Sequence, residues 1–165
     1  MAQDALLHVE DLAVHFRGDT GTVAALNGVS FTVRAGETVA LVGESGSGKS
    51  VTSLTIMRLT PPPPGCSVSG RVLLRDADGQ SLDLLALPAE AMRSLRGNRI
   101  AMIFQEPMTS LNPVLTIGDQ IAEAITVHRS MSRAAALDAA VELLDLVGIP
   151  EPRARLATYP HHLSG

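Results

Sequence analysis

Alternating apolar positions predict a strand-rich first half of the chain. Over residues 6–16 most apolar side chains fall on every second position, which is typical of a strand with one buried face. Residues 29–33 repeat the alternation, and residues 70–75 and 99–104 are further predicted strands. Residues 38–42 form a short, continuous apolar run, which favours a strand buried on both faces, as in a parallel sheet.

Helical spacing dominates the later part of the chain. Residues 49–59 predict a helix that Pro61 stops, because proline lacks a donor and clashes with the preceding turn. A short helix is predicted over residues 88–95 and a longer one over residues 116–128. A clearer one covers residues 132–147, where Ser132 can cap the start and Gly148 can end it. The pattern predicts two domains, a strand-rich one over residues 1–105 and a helical one over residues 106–165.

Composition and charge narrow the class of protein. The chain has 165 residues with 45% hydrophobic and 18% charged side chains, enough for one ordinary domain with a real core. A net charge of −4 gives no electrostatic support for nucleic-acid binding. The single cysteine, Cys66, excludes an internal disulfide and fits a reducing compartment. No stretch approaches the roughly 20 apolar residues of a membrane helix, and the first residues lack the order of a signal peptide.

A phosphate-binding loop follows the apolar run 38–42. The motif G-x-x-x-x-G-K-[ST] is complete in Gly43, Glu44, Ser45, Gly46, Ser47, Gly48, Lys49 and Ser50. Glycines let backbone N–H groups curl around phosphates, and the following helix directs its positive end at the anion. Lys49 is expected to reach the β- and γ-phosphates of a nucleotide, and the Ser50 hydroxyl is expected to bind Mg²⁺. The sequence therefore predicts a site for ATP with Mg²⁺.

Three other positions have both a functional and an ordinary interpretation. Gln105 follows a predicted strand and can bind Mg²⁺ or orient a water, but taken alone this residue is better explained as an ordinary loop glutamine. Phe16 can stack on adenine or simply belong to the core. His161 and His162 are adjacent, so on an extended segment they point to opposite sides and make a poor pair of metal ligands. We interpret the two histidines as surface or interface residues.

Together these residues resemble the ATP-binding subunits of ABC transporters, an α/β fold of the P-loop NTPase class with a helical subdomain. The phosphate loop, Gln105, a helical segment and the ending Leu163-Ser164-Gly165 occur in that family's order. Residues 103–113 are similar to the glutamine-loop segment of the oligopeptide, dipeptide and nickel importer branch. Residues 99–125 look closest to the first cassette of glutathione-import ATP-binding proteins.

The resemblance implies a role for each matching residue. Phe16 would stack on adenine, the loop from Gly43 to Ser50 with Val51 would hold the phosphates, and Ser50 and Gln105 would bind Mg²⁺. Ser164 and Gly165 would open the signature motif, which contacts the nucleotide of a second cassette, separate or fused. The helical part would dock on a transmembrane permease at the cytoplasmic face of the membrane. A periplasmic or extracellular solute-binding protein would be an indirect partner.

The resemblance also places several functional residues beyond Gly165. They are the catalytic glutamate and the switch histidine, and the sheet strand that carries the glutamate lies there too. These 165 residues alone are therefore expected to bind ATP but not to hydrolyse it, with an incomplete core sheet. The implied function of the complete protein is ATP-driven import of a dipeptide, an oligopeptide or glutathione. The alternatives left open are a non-catalytic nucleotide-binding protein, a nickel importer ATPase, and an ABC protein without a transport role.

Overall fold

The computed structural model describes residues 5–19, 21–105 and 110–163. Contacts divide the chain into two compact units, Met1–Arg96 and Gly97–Gly165. The two-domain division predicted after residue 105 stays a prediction, because compact packing alone does not define the family's domains. Among the described residues, no helix combines the length and the apolar character needed to cross a bilayer.

The first unit is built on an antiparallel sheet. Its strands are β1 (Ala5–Gly18), β2 (Gly21–Arg34), β3 (Cys66–Arg75) and β4 (Ser81–Asp83), and among the described residues their order is β2-β1-β3-β4. The strands predicted over residues 6–16, 29–33 and 70–75 are confirmed, and each is longer than its apolar pattern. The short β4 was not predicted, since three residues carry no measurable alternation. The buried apolar side chains of this unit are Val9, Leu12, Val14, Leu26, Met57, Cys66, Val72, Leu74, Leu84 and Met92.

A bulge in β1 explains why its apolar alternation slips by one position between Val9 and Leu12. The pairing of β1 with β2 shifts register between these two residues, and Asp11 takes a left-handed φ of 47°. Gly70 on β3 accommodates the bulge, because a Cβ there would lie 2.5 Å from the Asp11 carbonyl oxygen. As a result Val9, Leu12 and Val14 are all fully buried despite the uneven spacing.

Two helices complete the first unit. Helix α1 (Lys49–Ile56) follows the phosphate loop, and α2 (Ala89–Leu95) begins after Pro88. Both were predicted, although α1 ends earlier than residue 59 because Arg58 takes a left-handed φ of 51°. A left-handed residue ends the run of helical dihedral angles, so the chain leaves the helix before the prolines are reached.

Two predicted strands are wrong. Residues 38–42 and residues 99–104 form no strand in the structure, and their apolar side chains are largely exposed. Val42 is 94% exposed and Ile103 is 88% exposed. A strand needs hydrogen-bonding neighbours and cover for its apolar faces, and no described strand pairs with either segment. The sequence pattern specifies a preference for strand, but it does not supply the partners.

The second unit is helical, as predicted. It contains α3 (Ile117–His128), α4 (Arg133–Leu146), the short α5 (Pro152–Arg155) and a 3₁₀ turn (Pro160–His162). Ser132 caps α4 by accepting a hydrogen bond from Ala135 N at 3.2 Å, and Gly148 follows that helix with a φ of 77°. Both capping predictions are confirmed. The most buried side chains of α4 are Ala136, Ala140 and Leu144, whereas Val147, the residue that ends the helix, is exposed.

Helix α3 is fixed at its start by the segment after α5. Gly118 N donates to Leu156 O at 2.9 Å, and a Cβ on Gly118 would lie 2.8 Å from the same oxygen. The Thr116 side chain accepts a hydrogen bond from Asp119 N, which caps the helix. Hydrogen bonding with Thr116 and the nearby Arg133 guanidinium hold the pKa of Asp119 below its usual value.

Candidate functional site

The phosphate loop, residues 43–50, is shaped by glycines that no larger residue can replace without strain. Gly46 and Gly48 have φ values of 81° and 91°, in the left-handed region that glycine adopts without cost. A Cβ on Gly48 would also lie 2.5 Å from Leu26 Cδ2 and 2.7 Å from Ala25 O, both on β2. The end of the loop is therefore pressed against the sheet, which fixes where α1 begins.

Lys49 extends back over its own loop. Its Nζ donates to Gly43 O and Glu44 O, both at 2.7 Å, and to Ser47 Oγ at 3.3 Å. Lys49 is also the only lysine of the chain, in which every other basic side chain except the five histidines is arginine. A compact ammonium on a flexible stem can leave carbonyl oxygens for phosphate oxygens more readily than a planar guanidinium could.

The start of α1 leaves backbone donors available for an anion. The N–H groups of Gly46, Gly48, Lys49 and Ser50 donate no hydrogen bond to any residue within the described ranges. The N–H groups of Gly48, Lys49 and Ser50 are among those that a helix start cannot satisfy internally, and they lie at the positive end of the helix dipole. Clustered donors, a nearby ammonium and a loop without bulky side chains fit a phosphate chain.

The Ser50 hydroxyl and the two residues after it lie in the first turn of α1. Ser50 is exposed, as a ligand for a Mg²⁺ bound to the phosphates must be, and Val51 is half-buried. The sequence reasoning missed Thr52, which is buried and donates from Oγ1 to Gly48 O at 3.0 Å. It also missed Leu26, whose contact with Gly48 no local pattern could reveal. Both residues contact Gly48 and so help to hold the end of the loop in place.

Phe16 lies in the same unit as the loop, near the end of β1. It pairs with Val23 on β2 and with Cys66 on β3, and its side chain is half-buried. Two positions earlier on β1, Val14 pairs with Leu26, the residue that contacts Gly48. The sheet therefore connects Phe16 to the phosphate loop through neighbouring strand positions, while its stacking on adenine stays a prediction.

The other predicted site residues lie in the second unit or outside the described residues. Gln105 is exposed at a bend in the second unit, and its shared Mg²⁺ site with Ser50 stays a prediction. Ser164 and Gly165 lie outside the described residues, as do residues 106–109 of the glutamine-loop segment.

The two histidine rings near the end of the chain contact each other and the ring of Tyr159. The rings of His161 and His162 are 4.2 Å apart, Tyr159 stacks on His161 at 5.8 Å, and all three side chains are exposed. Within the ranges that the structure covers, no group of three or more His, Cys, Asp and Glu side chains could hold a metal ion. The interpretation as surface residues is confirmed, and their participation in an interface stays a prediction.

Comparison with known proteins gives a family and a fold. The sequence matches the ABC transporter family over residues 26–165. It is 58% identical over 165 residues, all of this chain and 49% of the relative, to a putative peptide import ATP-binding protein of Brucella abortus (strain 2308). It is 50% identical over 160 residues to the oligopeptide transport ATP-binding protein OppD of Bacillus subtilis, covering 97% of this chain and 43% of that protein.

Two further comparisons agree with this. The glutathione import ATP-binding protein GsiA of Pectobacterium atrosepticum is 50% identical over 165 residues, all of this chain and 26% of that protein. A solved structure of an ATP-binding cassette, dimeric and bound to ADP and Pi in a post-hydrolysis state, has a TM-score of 0.77 at 22% identity. The match covers 96% of this chain and 63% of that one. At that identity the likeness shows the fold alone, and the chain spans about half the length of the first of these relatives.

Proposed function

Because this chain belongs to the ABC transporter family, we propose that it forms the phosphate-binding part of an ATP-binding subunit that couples ATP binding and hydrolysis to solute import. The imported solute is a dipeptide, an oligopeptide or glutathione. The relatives named for peptide, oligopeptide and glutathione import support this class of solute, since they match the chain over nearly its whole length.

One observation carries the nucleotide part of the proposal. The loop combines donors at Gly46, Gly48, Lys49 and Ser50 that lack a described acceptor with an ammonium held 2.7 Å from loop carbonyls. Nucleotide phosphates take the same N–H groups and the same ammonium, so binding exchanges two carbonyl acceptors for charged oxygens. A phosphate oxygen carries a full negative charge, whereas a carbonyl oxygen carries only a partial one, so the ammonium gains Coulomb attraction in the exchange.

Each predicted residue has a distinct task in this proposal. Lys49 neutralises the β- and γ-phosphates, and Ser50 binds the Mg²⁺ that accompanies them. Gln105 completes the Mg²⁺ site and orients water, and Phe16 stacks on the adenine ring. When bound, the Mg²⁺ supplies positive charge against the phosphate oxygens.

The predicted helical domain has a separate role in the proposal. Residues 106–165 dock on the transmembrane permease at the cytoplasmic face of the membrane, with a solute-binding protein as an indirect partner. Ser164 and Gly165 contact the nucleotide of a second cassette. An ATP-binding cassette with the same fold was solved as a dimer, and this shared fold supports assembly in pairs.

The proposal is tested by protection of Lys49 from acylation. Full-length protein is treated with an amine-reactive ester with and without Mg²⁺ and ATP, and labelling is quantified on the peptide that contains Lys49. We expect ATP to reduce labelling of Lys49 at least several-fold, because phosphates cover the ammonium, while labelling of the N-terminal amine is the internal control. Equal labelling of Lys49 with and without saturating ATP would contradict nucleotide binding at this loop.

A transport assay tests the solute. Membrane vesicles that contain the complete transporter are given labelled dipeptide, oligopeptide, glutathione or Ni²⁺, with ATP supplied on the side of the ATP-binding subunit. Uptake of a peptide or glutathione that disappears in Lys49→Ala is the expected result. Uptake of Ni²⁺ alone would replace the peptide assignment with the nickel alternative, and ATP binding without any uptake would favour a non-catalytic role.

A further inference from the structure

The C-terminal end of α1, opposite the phosphate loop, is held by an arginine from another helix. The last carbonyl groups of a helix have no partners within it and carry its negative end. Here Arg96 Nε donates to Met57 O, at the C-terminal cap of α1, and Arg96 Nη2 donates to Arg58 O of the next residue, both at 2.8 Å. One planar guanidinium therefore binds two neighbouring carbonyls at once, which a point charge such as lysine cannot do with the same geometry.

Arg96 is itself firmly placed. It is the residue that ends α2, and its backbone N–H donates to Met92 O at 3.2 Å, while the Met92 side chain is almost fully buried. Arg58 makes a second tie in the opposite direction, from its Nη1 to Leu84 O and Leu87 O at 3.3 and 2.5 Å. We name Arg58 and Arg96 the arginine clamp.

The hydrogen bonds of the buried side chains of helix α1 stay within the helix and its cap, while the buried Met57 side chain packs at its C-terminal end. The helix has eight residues, and the buried ones are Thr52 and Thr55. Their hydroxyls donate to carbonyls of α1 and its cap, Gly48 O and Val51 O, at 3.0 and 2.7 Å, so they do not tie the helix to neighbouring elements. A helix of this length spans about 12 Å, so a tie at its C-terminal end lies close enough to influence the direction of its start. Loss of a tie at one end therefore tilts the other end.

The start of α1 is the end that matters for phosphate. Gly48 is pressed against Leu26 and Ala25, which makes the loop end a pivot with little room to adjust. A tilt about that pivot turns the free N–H groups of Lys49 and Ser50 away from the phosphate position. Hydrogen bonds weaken steeply with misalignment, so a small rotation is enough to lower affinity.

We propose that Arg96 is a positioning residue for the nucleotide: it holds the far end of α1 so that the phosphate loop keeps its binding geometry. The proposal rests on the proposed function, because it assumes that the loop binds ATP. It assigns to Arg96 a role that its sequence position, distant from the loop, does not indicate.

The experiment measures ATP affinity and steady-state turnover in the full-length protein with Arg96→Met and Arg96→Lys. The matched control is Arg93→Met on the same helix, because the Arg93 side chain is 76% exposed and pairs only with Glu90 among the described interactions. We expect Arg96→Met to raise the Kd and the KM for ATP about ten-fold, the effect of losing roughly one charge-assisted hydrogen bond. The turnover at saturating ATP stays within about two-fold, since no group that contacts the reacting phosphate is removed.

The control and the conservative variant distinguish positioning from general destabilisation. Arg93→Met leaves both constants unchanged, and Arg96→Lys gives an intermediate Kd because an ammonium can hold one carbonyl but not both. A folded Arg96→Met with a wild-type Kd overturns the proposal, as does a wild-type Kd in Arg96→Lys where Arg96→Met does not fold. Equal losses of kcat and of affinity overturn it too, because they indicate damage beyond the positioning of the loop.

Lys49→Ala in the same titration separates this inference from the proposed function. Lost ATP binding in Lys49→Ala together with unchanged binding in Arg96→Met overturns the clamp alone. Unchanged binding in both variants overturns the proposed function and the positioning role that rests on it.

Discussion

The phosphate loop, residues 43–50, and the apolar run just before it, residues 38–42, are neighbours in sequence but depend on the rest of the protein to different degrees. The loop is closed by short-range bonds: Lys49 Nζ to Gly43 O and Glu44 O, and Ser47 N to Glu44 O at 3.2 Å. The apolar run makes no such bonds with the part of the chain that the structure describes, and Val42 at its end is 94% exposed. A local motif supplies its own partners, whereas a strand must receive them from elsewhere in the chain.

The same distinction separates the predicted site residues. Gly43 to Ser50 depend mainly on one another, because they lie within one loop that its own hydrogen bonds close. Phe16 depends on strand pairing, and Gln105 depends on how the second unit meets the nucleotide. We therefore expect substitutions in the loop to have the largest effects on ATP binding and substitutions at Phe16 and Gln105 to have smaller ones.

The largest effect is expected for Lys49→Ala. It removes the ammonium that both closes the loop and meets the phosphates, so ATP affinity falls about 100-fold, the equivalent of two charge-assisted hydrogen bonds. Calorimetric titration of the full-length protein with ATP and Mg²⁺ measures it. Lys49→Arg keeps the charge and is the matched control, with a smaller loss. A change below about three-fold in Lys49→Ala would show that the loop does not depend on its lysine.

The second-largest effect on ATP affinity is expected for Gly48→Ala, with Gly46→Ala as its control. Both positions have positive φ, but only the Gly48 Cβ would meet other atoms, Leu26 Cδ2 and Ala25 O within 2.7 Å. Both variants bear a backbone strain of about 1–2 kcal/mol, and Gly48→Ala adds a clash that displaces the loop from the sheet. We expect ATP affinity to fall about 30-fold in Gly48→Ala and clearly less in Gly46→Ala. Equal losses would mean that contact with β2 is unimportant.

Phe16→Ala tests the part of the site that depends on strand pairing. If the ring stacks on adenine, ATP affinity falls about ten-fold, in line with the stacking of bases on aromatic side chains. The affinity for inorganic tripolyphosphate, which has no base, stays the same. Titration with both ligands measures the difference, and Phe16→Leu controls for loss of packing in the sheet. Parallel losses for the two ligands would assign Phe16 to the core instead.

The smallest effect on binding is expected for Gln105→Ala. Gln105 is proposed to meet the nucleotide through Mg²⁺, so the affinity for ATP falls about three-fold with Mg²⁺ and not at all when the ion is chelated. Fluorescence titration with and without Mg²⁺ measures both values. A loss that persists without the ion would place Gln105 outside the metal site.

Much of the fold was predictable where the decisive interactions are close in sequence. Ser132 and Gly148 marked the ends of α4, and the complete phosphate motif placed α1, because capping and loop closure need only nearby residues. The bulge at Asp11 was not predictable, since it depends on the fit against Gly70 on another strand. Neither was the contact of Gly48 with Leu26, for the same reason.

By itself, the sequence determined a loop whose shape and charge fit phosphate-like anions, because glycine conformation, a lysine and a helix start are properties of consecutive residues. It also determined which segments prefer strand or helix. Only the tertiary structure decided which apolar runs become strands, because pairing requires a second segment at hydrogen-bonding distance. It also revealed Arg96 at the far end of α1, since a guanidinium 38 residues away in sequence meets Arg58 O only in the folded protein.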